Sequence, residues 1–267
     1  FFKKWFNIGG NLRALQLKTE NSQMKRAMFI RMQTGVESSI KMGNLKLVAF
    51  FGKQEQGNMV RGEFTRFYSI YQLTDELTLR AGRFIPNFGL NIAEHTLATR
   101  KGLGFDEGSE RDQVELMWGG EKWNSSLTLS KQINTRNSNT LEKAASFQVN
   151  YNFLDSYRVG ADLWLGDRLG KKRQIIGGHA VLGFSEKIYY LTEFNLQKDF
   201  NNNHGLFHFS KFGYEFVKGL HFIVLEDYKK NDLKNEKTLA NSHGVGLEWY
   251  PRPHFEFEGI MSKKRVA

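Results

Sequence analysis

Apolar and polar residues alternate along most of this chain. One face of the segment 145–153 carries Ala145, Phe147, Val149, Tyr151 and Phe153, and the other carries Ser146, Gln148, Asn150 and Asn152. A period of two predicts β-strands with one apolar face. A soluble β-sandwich also alternates, but its strands usually have five or six residues. The segments in this chain have about ten or more, the length of a strand that crosses a membrane.

The links between these segments are of two kinds that alternate along the chain. Short turns are predicted at positions such as 155–156 and 218–219, and longer polar links at 53–61, 167–173 and 229–237. Short periplasmic turns and longer outer loops are typical of bacterial outer-membrane barrels. We therefore predict an all-β, antiparallel up-and-down transmembrane β-barrel of about 14–16 strands, with residues 1–267 forming one domain. Fifteen strands are counted, and because such barrels have even numbers, a closing strand is expected beyond Ala267.

The longest link, 86–111, joins a strand at Leu77–Phe84 to one at Gln113–Trp118. It lacks a helical period, and a connection of this length is usually functional. We predict that it folds at least partly into the lumen and forms a constriction. The predicted constriction residues are Arg80, Arg83, Arg100, Lys101, Asp106, Glu107, Glu110 and Arg111.

Charge adds a second expectation. The net charge is +10, and the excess of Lys and Arg lies in the longer links, whereas the short turns are close to neutral. Cationic side chains are stabilised beside an anionic lipid layer. The alternative is that these charges only keep the protein soluble. We predict an outer rim that contacts lipid phosphate and lipopolysaccharide. Its residues are Arg168, Lys171, Lys172, Arg173, Lys229 and Lys230.

The sequence gives only weak signals for catalytic, metal-binding or nucleic-acid-binding sites. The chain has no cysteine and no apolar run of the ~20 residues that a membrane helix needs. His204 and His208 are four residues apart, and Glu256 and Glu258 share a strand face, but lumen polarity explains both pairs more simply. No catalytic or nucleic-acid-binding motif is found. We expect no enzyme activity, no metal, no cofactor and no nucleic-acid partner.

Three stretches resemble porin-type outer-membrane barrels of Gram-negative bacteria. They read LRAGRFIPNFGL, ERDQVELMWGGEKW and GLEWYPRPHFEFEGIM. The resemblance implies an outer-membrane location and a lumen that is open or plugged. The leading hypothesis is passive passage of small polar or anionic solutes. One alternative is a structural sleeve that holds a partner protein, as in an electron conduit or a secretion complex. A less favoured alternative is an outer-membrane hydrolase, since His208-Phe209-Ser210 has part of a phospholipase spacing.

Overall fold

A computed structural model describes residues 5–19, 27–56, 59–90, 97–133 and 141–266. These residues form fifteen strands, as the alternation predicted. The strands are β1 Phe6–Thr19, β2 Ala27–Met42, β3 Leu45–Gln56, β4 Met59–Gln72, β5 Leu77–Phe84, β6 Arg111–Gly119, β7 Trp123–Gln132, β8 Lys143–Leu154, β9 Tyr157–Arg168, β10 Lys171–Ser185, β11 Ile188–Lys198, β12 His204–Val217, β13 Leu220–Lys230, β14 Leu239–Arg252 and β15 Phe255–Val266. A π-helical turn, Ala98–Gly102, lies in the long loop, and a 3-10 turn, Glu236–Thr238, precedes β14. Among the described residues, no helix is long and apolar enough to cross a membrane.

The strands form a single sheet in chain order, and each is antiparallel to its neighbours. Within the described residues β1 pairs only with β2 and β15 only with β14, so the two edges are not hydrogen-bonded to each other. This up-and-down arrangement confirms the predicted fold class. The predicted short turns are present, including 155–156 and 218–219.

Two of the predicted longer links are shorter than expected. The link predicted at 167–173 is a two-residue turn, Leu169 and Gly170, between β9 and β10. Both residues have positive φ, 52° and 79°, which is the arrangement of a tight type I′ hairpin turn. The predicted link 53–61 lies mostly inside β3 and β4. The segments 20–26, between β1 and β2, and 134–140, between β7 and β8, lie outside the described residues, as does the part 91–96 of the predicted long link.

The two faces of the sheet have opposite character. On β6 the inward-facing Gln113 and Glu115 are buried, while Val114 and Leu116 on the other face are exposed. The same inversion recurs on β8, where Gln148 is buried and Phe147 is 44% exposed. A water-soluble protein buries its large apolar side chains and exposes its charges. Exposed apolar rows over a polar interior are the pattern of a barrel wall facing lipid.

Aromatic side chains on the outward face gather at the end of the sheet that carries the short turns. Trp123 and Tyr151 lie with ring centroids 4.4 Å apart, and Phe153 and Tyr157 lie 5.2 Å apart. Phe184 continues this band, 6.1 Å from Tyr157. Amphipathic aromatic rings at one level are typical of a membrane–water interface.

Candidate functional site

The described parts of the long loop between β5 and β6, 85–90 and 97–110, fold onto the inner face of the sheet. Phe88 stacks on Phe105 at 4.4 Å, and Phe105 meets the edge of Trp164, from β9, at 4.9 Å. All three side chains are at most 1% exposed. A second apolar contact places Leu90 and Leu97 against Phe209 of β12, which is also fully buried. Apolar residues at inward positions of otherwise polar strands therefore provide the seat for the loop.

Carboxylates of the wall hold the backbone of this loop. The Gly89 N–H donates to Asp162 Oδ1 at 2.9 Å, the Leu90 N–H to Glu193 Oε2 at 2.9 Å, and the Ala98 N–H to Asp227 Oδ1 at 2.8 Å. These acceptors belong to β9, β11 and β13. An irregular loop leaves backbone groups unpaired, and burying them without partners is costly. The wall satisfies them with carboxyl oxygens from three strands.

Gly89 lies where the loop approaches the wall most closely. Its φ is +63°, and an added Cβ would overlap the Glu193 carboxylate. Its carbonyl oxygen accepts a hydrogen bond from Gln148 Nε2 at 3.0 Å. Glycine is required at this position for both its backbone conformation and its lack of a side chain.

Asp162 is held in place by a buried polar chain. His179 Nδ1 lies 2.7 Å from Asp162 Oδ2, and His179 Nε2 lies 2.7 Å from Asn150 Oδ1. Gln148 Nε2 donates to Asp162 Oδ1 at 2.8 Å, and Asn150 Nδ2 donates to Asn124 Oδ1 at 2.9 Å. A fully bonded network of this kind fixes side-chain positions, so Asp162 is oriented before the loop reaches it.

The far end of the loop carries two acids that pair with an arginine of β4. Arg66 of β4 lies between Glu107 and Glu110, with Nη2 2.9 Å from Glu107 Oε1 and Nε 3.3 Å from Glu110 Oε1. Gln33 of β2 also donates to Glu107. Beside them Arg80 of β5 pairs with Glu115 of β6 at 2.7 Å.

Aromatic rings support both arginines. The Arg66 guanidinium carbon lies 4.5 Å from the centroid of the Phe50 ring, and that of Arg80 lies 3.9 Å from the Phe84 ring. Cation–π contacts of this kind restrain long side chains that border water. Each of the two arginines therefore lies between an aromatic ring and the carboxylates that it pairs with.

The end of the loop that leads into β6 is fixed by a buried ion cluster. Glu142 accepts hydrogen bonds from Arg111 Nη2, from Arg173 Nε at 2.9 Å and from Trp164 Nε1 at 3.1 Å. Burial raises the pKa of Glu142, but the two guanidinium groups outweigh it and keep this pKa below its ordinary value. Arg173 also donates to the carbonyl oxygen of Leu103, at 3.0 Å. The cluster therefore ties the loop to β6 and β10.

Arg100, in the π-helical turn, is a buried support for the loop. It is 3% exposed and donates to the carbonyl oxygen of Phe88 at 3.0 Å. Burial lowers the pKa of its guanidinium, while Glu193 and Asp106 act in the opposite direction. Arg100 therefore links the π-helical turn to the segment of the loop that contains Phe88.

Solved structures with the same architecture are found among bacterial porins. A triple mutant of the Rhodopseudomonas blastica porin aligns with a TM-score of 0.59 and 12% identity, covering 97% of this chain and 94% of that chain. Salmonella typhi OmpF, in complex with daunomycin, aligns with a TM-score of 0.71 and 12% identity, covering 96% and 89%. This chain has the porin fold. No protein-family model and no curated protein sequence matches it.

The porin fold brings together only part of the predicted constriction. Glu107 and Glu110 both pair with Arg66, and Arg80 pairs with Glu115. The others are placed elsewhere: Arg100, Asp106 and Arg111 are buried, Lys101 is exposed, and Arg83 lies on the outward face.

The assignment of Arg83 to the constriction was wrong. Residues three apart on a strand point to opposite faces, so Arg83 faces outward when Arg80 faces inward. Its Nε donates to Asp112 Oδ1 at 2.9 Å, and its guanidinium lies 5.0 Å from the ring of Phe67, which is 50% exposed.

The predicted lipid rim is also only partly at the surface. Arg168, Lys171 and Lys172 lie at the hairpin between β9 and β10, with Lys172 paired to Asp167. Two other predicted residues point inward instead: Arg173 is 8% exposed in the Glu142 cluster, and Lys229 lies 5.9 Å from the ring of the buried Phe207. Lys230 is buried against Glu236.

Several site residues were not predicted from the sequence. Arg66, Glu193 and Asp227 each lie within a strand, on the inward face. A charge at an inward position in the middle of a strand is the signal that could have identified them. Asp162 shows it clearly, since it lies opposite the apolar row Ala161, Leu163 and Leu165.

Proposed function

We propose that this chain forms an outer-membrane channel for the passive diffusion of small polar solutes. The observation that carries the proposal is the loop folded across the inner face, with Glu107 and Glu110 opposite Arg66. Oriented ion pairs on the lining of a passage create a local field, and pore selectivity is set by such lining groups. A dipolar solute can align in that field as it passes.

The location follows from the outward face. Its apolar rows and aromatic band suit lipid, and barrels with this architecture span the bacterial outer membrane. The porin fold of the chain supports the same location, the outer membrane of a Gram-negative bacterium. The wall would then contact membrane lipid, and lipopolysaccharide is the outer-leaflet lipid we propose.

The charges around the constriction bear on the class of solute. Two guanidinium groups, Arg66 and Arg80, face three carboxylates, Glu107, Glu110 and Glu115. A nearly balanced set favours neutral polar and dipolar solutes over strongly charged ones of either sign. The basic outer links would enrich small anions only at the entrance.

A sleeve that holds a partner protein is less well supported. The inner face is already bonded to the loop of the same chain through β4, β8, β9, β10, β11 and β13. Those contacts occupy groups that a partner in the lumen would need. We therefore favour the channel.

Ion selectivity tests the channel and its site together. Arg66→Gln removes a cation between two acids, so it should shift the reversal potential toward cation preference, by roughly two- to five-fold in permeability ratio. Arg83→Gln removes the same charge from the outward face and should leave selectivity unchanged. The measurement is single-channel recording of the purified protein in planar bilayers under a salt gradient. Equal shifts in both variants would contradict the assigned constriction, and a folded protein that conducts no ions would contradict the channel.

A further inference from the structure

The outward face of the sheet has a shallow depression of about 900 Å³ near the outer ends of β5–β9. Its floor is apolar and includes Val114, Leu129 and Leu165, with the small side chain of Ala145 between larger neighbours. Leu129 is 62% exposed and Leu165 is 46% exposed. The floor residues are uncharged, as contact with a hydrocarbon chain requires.

Charged residues border the outer edge of this depression. Arg83, Asp112, Lys131 and Lys143 all line it, and the strand register places them side by side in one row. Lys131 and Lys143 are direct partners across β7 and β8. Like charges directly opposite each other destabilise a sheet, so this pair needs an explanation.

The acids next to these two lysines in the row are hydrogen-bonded to other cations, although Asp167 also attracts Lys143. Asp112 is bonded to Arg83 at 2.9 Å, and Asp167 is bonded to Lys172 at 2.6 Å. In the described parts of the chain neither Lys131 nor Lys143 forms an ion pair. The link between their strands, 133–142, contains Arg136 and one acid, Glu142, which is paired with Arg111 and Arg173 instead.

We propose that this depression is a binding site for a membrane lipid with an acyl chain and an anionic phosphate headgroup. The phosphate binds between Lys131 and Lys143, with Arg83 beside them, because a phosphate oxygen accepts strong bonds from both ammonium groups. The acyl chain lies along Val114, Leu129 and Leu165. The site differs from the rim predicted at 168–173 and 229–230, and it depends on the membrane location but not on solute passage.

Native mass spectrometry of the detergent-purified protein tests the site. Phosphatidylglycerol and zwitterionic phosphatidylcholine are the two probes, and the protein should bind the first more tightly. The double variant Lys131→Gln/Lys143→Gln should weaken phosphatidylglycerol binding roughly thirty-fold, from about five-fold for each cation near an anionic lipid. The matched control is Lys187→Gln/Lys218→Gln, which removes two exposed charges from short turns at the other end of the sheet and should have no effect.

A second variant tests the apolar floor without changing charge. Ala145→Trp fills the depression and should reduce binding of phosphatidylglycerol, while inorganic phosphate alone should not compete at equal concentration. Equal losses in the lysine variant and its control would overturn the proposal. Full competition by inorganic phosphate would overturn it as well, since the acyl chain would then contribute nothing. A lipid-free dimer abolished by Ala145→Trp would assign the surface to a second copy of the chain instead.

Discussion

Replacing Gly89 with alanine should release the loop from the wall. A side chain at φ +63° costs about 1–2 kcal/mol. The new Cβ would also displace the Glu193 carboxyl group and break its bond to the Leu90 N–H, and a buried donor left unpaired costs about 1–3 kcal/mol. Together these terms disfavour contact between the loop and the wall by about 2–5 kcal/mol.

Gly104 offers a matched control in the same loop. Its φ is +76°, but a Cβ there would meet nothing within 4 Å. Gly104→Ala should therefore cost only the backbone term, about 1–2 kcal/mol. The difference in free energy between the two variants isolates the contact with the wall. Because 1.4 kcal/mol is a ten-fold change in an equilibrium constant, this difference corresponds to roughly a thirty-fold larger population of Gly89→Ala with the loop detached.

Single-channel recording can detect that population as conductance steps. Gly89→Ala should show frequent steps and a higher mean conductance, whereas Gly104→Ala should stay close to the unmodified protein. Heat-modifiable migration on a gel checks that both variants fold. Identical traces from two folded variants would refute the view that Gly89 marks the closest approach of loop and wall.

Two further predictions concern the wall and the ion cluster. Val245 lies on the outward face in the middle of β14, and Val245→Arg should destabilise the protein by about 2–4 kcal/mol in lipid. Ser242 lies on the inward face of the same strand, and Ser242→Arg should have little effect on stability. Urea unfolding in liposomes measures both, and equal midpoints would contradict the outward assignment of Val245. Because the pKa of Glu142 is held below its ordinary value of 4.5, its stabilising effect is complete above about pH 4.5 and is lost as the pH falls through the lowered pKa. Glu142→Gln should therefore remove part of the acid dependence of thermal unfolding followed by circular dichroism, and Glu121→Gln, in an exposed turn, should not.

The strands were predictable because their signal is local. Alternation at 145–153 and the two-residue turn at 155–156 depend on neighbouring residues only, and the structure has both. The ends of strands were harder to predict where a turn contains residues that are uncommon in turns. Leu169 adopts a positive φ that its type does not favour, so the hairpin there was read as a longer link.

The site was predictable only in outline. The length of the loop predicted that it folds inward, but its partners depend on which strands lie across the lumen. Arg83 shows the limit, since one strand position decides whether a charge faces the pore or the lipid. Arg66 shows the converse, because its role depends on acids 41 and 44 residues away in sequence.

The bonds that hold the loop also bear on the order of folding. Nearly every other contact in the sheet joins strands that are adjacent in sequence, and such local contacts form early and quickly. The bonds from Gly89, Leu90 and Ala98 instead span 73, 103 and 129 residues. The loop cannot be seated until β9, β11 and β13 are in place, so its docking is the late step of assembly. An intermediate with complete hairpins and a free loop would precede the final state, and its lifetime would depend on how fast a tethered segment finds three separate carboxylates.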